Sequence, residues 1–298
     1  MQLDKTRIAI RERSLLELLD LALHVVVEYR WPWLVTSLIF AMPLALINDI
    51  LIRGMGEFAY QQDNVWAMLT FIYPMSLLVF LEAPLAAVLT TLYLGRAMFL
   101  DTPRFRDIVR QAFMLAPCWI SCQAILRGTI PALLLILILS PRDAASSGLV
   151  HLFLTPIAMY AMLCRALRPF LNEVILLERT PIRRETQSTI TLWQRLSVIH
   201  RARPGDMVMQ WFVSALAAVI ITLSFVEFFW LVSWIAQDNL HWGPMMVRVG
   251  VPASMWIVAS FFAVVRFLDY LDCRIRDEGW EVELQMRAEA NRLPKLPA

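Results

Sequence analysis

Charge is scarce in this chain. Asp, Glu, Lys and Arg make up 17% of its 298 residues, 59% are hydrophobic, and the mean hydropathy is +0.59. One soluble core needs far less apolar material, so the surplus must face lipid. Glycine is also short, at nine, and neither GxGxxG nor a Walker A loop occurs, which argues against a glycine-rich loop cradling phosphates. The four histidines, His24, His151, His200 and His241, are scattered over both predicted surfaces and no HExxH is present. Neither a metal centre nor a Ser–His–Asp triad is readily assembled from them. The four cysteines, Cys118, Cys122, Cys164 and Cys273, fall in apolar segments or the tail, where an oxidised framework is not expected. Cys118 and Cys122 share a helix face, but no His or carboxylate joins them at metal-ligand spacing. No catalytic set, cofactor or metal is assigned, and nucleic acid is not an expected partner because the basic residues lack a recognition element.

What the chain does have is long apolar runs. Those near residues 33–52, 66–95, 111–138, 149–163, 207–236 and 249–265 are, or contain, the roughly 20 residues that cross a ~30 Å hydrocarbon layer as helix. The expected fold class is all-α, a polytopic helical bundle of about six transmembrane helices occupying residues 1–265, with a helical tail over 266–298. Six spans put nearly all of the 27 Lys and Arg residues on one side, leaving Arg53, Arg142 and Arg248 on the other and Arg127 within a span. Cytoplasmic loops retain Lys and Arg, so both termini are expected inside a bacterial inner membrane.

The charged start and the run from Leu15 superficially suggest a signal peptide. Glu17, Asp20 and Glu28 interrupt that run, and no small-residue cleavage site follows. Ser14 and Glu17 instead fit a capping box, and the segment to Arg30 reads as an amphipathic helix at the inner surface. Trp31, Pro32 and Trp33 then turn the chain into the bilayer. The run 111–138 contains Pro117, Arg127 and Pro131, which leaves open one long tilted helix or an interfacial piece followed by a shorter span. Phe170 to Leu177 reads as a cytoplasmic-surface helix.

Glu82, Arg127 and Glu227 lie inside apolar runs, where an unpaired charge is costly. Glu82 stands roughly 21 Å from the inner boundary at Arg96, and Arg127 roughly 24 Å from Gln111, at about 1.5 Å per helical residue. The matching depths predict a Glu82–Arg127 ion pair between the second and third spans. That pair is either structural or, with Pro84 loosening the helix, a proton or cation path. Glu227 is close enough to the outer boundary to reach water.

Four stretches carry a resemblance: LLDLAL from Leu18, FLEAPLAAVLTTLYLGRAMF from Phe80, RPFLNEVILLERTPIRR from Arg168 and RFLDYLDCRIRDEGWEVEL from Arg266. They look like a family of uncharacterised bacterial membrane proteins, planctomycete-type, similar to the membrane domain that precedes some glycerophosphodiester phosphodiesterases. The resemblance implies no activity, since the phosphodiesterase chemistry sits in a separate barrel domain for which this chain has no room. It implies a candidate cytoplasmic contact surface of Glu173, Glu178, Arg179, Asp272, Arg274, Arg276, Glu278 and Trp280, provided the fourth and sixth spans are neighbours.

Three functions follow in order of expectation. The first is a non-enzymatic module organising or regulating an unidentified membrane or cytoplasmic protein partner at the inner face, with the lipid bilayer as its medium. Next comes a small secondary transporter using Glu82 and Arg127. A lipid-acting intramembrane enzyme with Glu82 or Glu173 as general base comes last, because no second catalytic group accompanies either residue.

Overall fold

Apolar residues set the architecture: helices long enough to cross a bilayer, with interruptions at Ile52, Ala87, Leu115 and Gly128. The computed structural model describes residues 14–62, 65–98, 104–139, 144–181, 191–201, 204–237 and 243–277, and among these every regular element is helical. Helix α1 (Leu15–Glu28) begins with the expected capping box, Ser14 and Glu17 each bonding the other's backbone N–H. Helices α2 (Arg30–Gln62), α3 (Val65–Ala86) and α4 (Val88–Ala97) follow, with α3 and α4 making one 33-residue apolar rod broken at Ala87. Then come α5 (Phe105–Met114), α6 (Ala116–Trp119) with a π-helical continuation over Ile120–Leu126, and α7 (Thr129–Leu139). The second half holds α8 (Ala144–Leu167), α9 (Leu171–Glu173) with a π-helical turn Val174–Glu178, α10 (Leu192–Arg201) and α11 (Pro204–Gln237). A π-helical turn, Met246–Gly250, leads into α12 (Val251–Asp277).

Among the described residues, five helices are long and apolar enough to cross a membrane. The rod formed by α3 and α4 is the central one, with 72% of its most apolar window buried, whereas none of the corresponding window of α11 is buried. Helix α11 therefore turns most of its apolar surface outward, to lipid, and is touched by α12, α8, α10 and the turn Met246–Gly250. A sixth candidate is the pair formed by α5 and residues Ala116–Leu126, bent by 56°.

The stretch 111–138 is thus not one long helix. It breaks at Leu115 and again at Gly128, whose φ of +86° is a left-handed turn open to glycine and costly to other residues. Helix α7, eleven residues long, spans only ~16 Å. Its Pro131 lies in the first turn, where a missing N–H costs little.

Packing divides the molecule lengthwise. One cluster, containing Ile52, Met55, Met75, Leu78, Ile136, Leu154 and Val251, fills the end where α2 meets α3. Val88, Leu92, Ile108, Trp119, Phe170, Val174, Leu196 and Tyr270 fill the other, which we call the basic end. Amphipathic α5 and α10 lie on that end, burying Ile108 and Ala112, and Leu192, Leu196 and Ile199. Helix α1 joins them, although its stripe of Leu18, Ala22 and Val25 packs on Leu94, Val264, Phe267 and Leu268 rather than on lipid alone. Phe170 to Leu176, expected as a surface helix, is buried. Helix α12 continues unbroken past residue 265, and its Phe267, Leu268 and Tyr270 are buried in the core.

Candidate functional site

Polar side chains are rare in the spans, yet several are fully buried and close in space. On α3, Glu82 is 0% exposed and its Oε2 accepts a 2.7 Å hydrogen bond from Nδ2 of Asn48, on α2 and also 0% exposed. Glu82 Oε1 and Asn48 Oδ1 have no hydrogen-bond partner. Arg127 is not the partner of Glu82. The chain breaks at Leu115 and Gly128, so Arg127 does not stand on one straight helix counted from Gln111, and Glu82 and Arg127 take separate partners. Its Nη2 donates instead to the Arg168 carbonyl at 2.7 Å, just beyond the end of α8. The expected Glu82–Arg127 ion pair is therefore not formed.

A turn before Pro84, the Leu81 carbonyl gathers two donors from elsewhere, Thr129 Oγ1 at 3.0 Å and Arg165 Nη2 at 3.1 Å. Pro84's own carbonyl accepts from Asn172 Nδ2 at 3.3 Å, and Asn172 Oδ1 accepts from Gln123 Nε2 at 3.4 Å. A hydroxyl, a guanidinium and a side-chain amide thus stitch α3 to α7, α8 and α9 where proline disturbs the backbone ladder. Arg165 also stacks 3.9 Å above the Phe80 ring.

Further toward the basic end, Glu173 pairs with Arg266 at 2.8 Å, joining α9 to α12. Glu178 is the most heavily bonded carboxylate among the described residues: Arg195 Nε donates at 2.6 Å, Arg195 Nη2 at 3.3 Å, Tyr270 Oη at 2.5 Å, and Arg274 Nη1 also donates. Burial opposes the charge on Glu178. The bonds from Arg195 and Tyr270 and the charges of Arg274 and Arg195 outweigh it and hold the carboxyl below its ordinary pKa.

The candidate contact surface is therefore brought together but turned inward. Glu173 and Asp272 are buried, while Glu178 and Arg274 keep 14% and 15% of their side chains exposed. Only Arg179, with a left-handed φ of 54°, is exposed among these. Glu278 and Trp280 lie outside the described residues, as does the side chain of Arg276. What the basic end exposes instead is Arg104, Arg106 and Arg110 along α5, together with Arg168, whose guanidinium stacks on Trp193 at 4.7 Å. Glu227 is exposed on α11.

Sequence reasoning missed Asn48, Gln123, Asn172, Thr129 and the inward role of Arg165. Asn172 and Glu173 stood inside the apolar run FLNEVILL, the one local signal that this segment is buried and bonded. Comparison with family models, curated proteins and solved structures returned no match to this chain.

Proposed function

We propose that this chain is a non-enzymatic module of a bacterial cytoplasmic membrane, both termini inside, whose basic end organises or regulates a protein partner. The observation that carries this reading is the convergence of Arg195, Tyr270 and Arg274 on Glu178, which ties α10, α9 and α12 into one platform. Such a joint costs desolvation and contributes geometry, which suits a surface that must hold its shape. Exposed Arg104, Arg106 and Arg110 then present positive charge to an acidic partner. Kinship with the uncharacterised family named above is part of this reading, since its pieces from Phe80 and Arg168 supply the buried polar residues. Affinity purification from native membranes in mild detergent, followed by mass spectrometry, tests it. The expected result is a stoichiometric partner lost when the three arginines of α5 are changed to glutamine; a chain that purifies alone contradicts it.

A second reading, secondary transport, rests on the unpartnered oxygen of Glu82 beside Pro84. It predicts proton-coupled flux in liposomes that disappears in Glu82→Gln. Equal flux in both proteins removes it.

A further inference from the structure

Three guanidinium groups share the buried region around the end of α8. Arg127 is 2% exposed and Arg165 6% exposed, and Arg266 reaches them from α12. Each lies within electrostatic range of the other two. Among the described residues, one carboxylate, Glu173, acts on Arg127 and pairs with Arg266, and Glu82 is turned toward Asn48. Among the described residues, the three positive charges thus share one carboxylate. An arginine does not relieve burial by losing its proton, as lysine or histidine does, because its pKa lies above ~12. The compensation has to come from an anion.

Unsatisfied N–H groups point the same way. Arg127 Nη1 and Arg165 Nε are buried donors without a partner, although each guanidinium is fixed by its Nη2 bond to a backbone carbonyl. Two held guanidiniums with spare N–H groups suit the oxygens of a tetrahedral anion. Gln123 Oε1 and Glu173 Oε2, unpartnered acceptors in the same region, suit a hydroxyl on that ligand.

We propose that Arg127 and Arg165, backed by Arg266, bind a phosphate group, either that of a lipid headgroup or free phosphate. The surroundings accommodate a lipid, for Ile125 and Leu126 on one flank and Leu163 and Leu167 on the other are exposed. Acyl chains can lie along those side chains while the headgroup reaches inward.

Native mass spectrometry and thermal unfolding of the purified full chain test this. The wild type is stripped in detergent and then offered phosphatidylglycerol, a phosphate-free glycolipid, or inorganic phosphate. Retention of about one phospholipid and a rise in Tm with phosphatidylglycerol alone assigns a headgroup. A rise with inorganic phosphate assigns a free anion. Arg127→Gln and Arg165→Gln each weaken the effective ligand at least about tenfold, as loss of one charged hydrogen bond requires, whereas Arg53→Gln at the far end leaves it unchanged. If a variant does not fold, the wild-type arms decide alone. No retention and no stabilisation by either phosphate source overturns the proposal, as does equal response to the glycolipid or equal retention in folded variants.

Discussion

Asn48 and Glu82 hold each other across 2.7 Å in the middle of the bundle, both without solvent exposure, and this contact rather than an ion pair accommodates the acid. Asn48→Leu removes the donor and leaves the carboxyl stranded, so unfolding in detergent is expected to show a loss of about 1–3 kcal/mol. Glu82→Gln keeps an acceptor for Asn48 and is expected to cost about 1 kcal/mol or less.

Since Glu82 bonds Asn48 and Arg127 bonds the Arg168 carbonyl, exchanging the charges creates no new partner for either. The double change Glu82→Arg with Arg127→Glu is expected to accumulate no better than the worse single variant. Recovery to wild-type accumulation would show that the two side chains meet.

Glu178 links stability to pH. Its carboxyl is held below the ordinary value of 4.5, so its contribution is fully present above that value and is lost as pH falls through the lower folded-state pKa. Glu178→Ala removes the carboxylate that Arg195 and Arg274 share and is expected to cost about 3 kcal/mol near neutral pH. The gap between wild type and variant should narrow as acid is added below pH 4.5, as followed by thermal unfolding. A gap independent of pH would contradict the charge assignment.

Gly128 turns the chain with φ at +86°, and a Cβ there would meet Ile157 Cγ2 at 2.8 Å. Gly128→Ala is expected to destabilise by about 1–3 kcal/mol, read by the same unfolding assay.

Much of this fold was legible because hydropathy and helix capping are local. The capping box at Ser14 and Glu17 and the windows 66–95 and 207–236 all reappear as helix, within a few residues. What failed was whatever depends on direction after a break. Arg127 was placed by counting along a straight helix, and neither the bend at Leu115 nor the left-handed turn at Gly128 has a hydropathy signature. Glu173 read as surface because carboxylates usually are; its partner Arg266 lies 93 residues away. Asn48, Thr129 and Asn172 acquire their role only when α3 stands between their helices, which no periodicity reveals.

A cytoplasmic partner can reach the platform only if the basic end faces the cytoplasm. Replacing the four cysteines by alanine and introducing Arg106→Cys or Arg53→Cys, each at an exposed or half-exposed position, allows labelling of intact cells with a membrane-impermeant thiol reagent. Labelling at position 53 and none at 106 until the cells are opened is the predicted result. Labelling at 106 in intact cells would put the platform outside, away from any cytoplasmic partner, and would contradict the account.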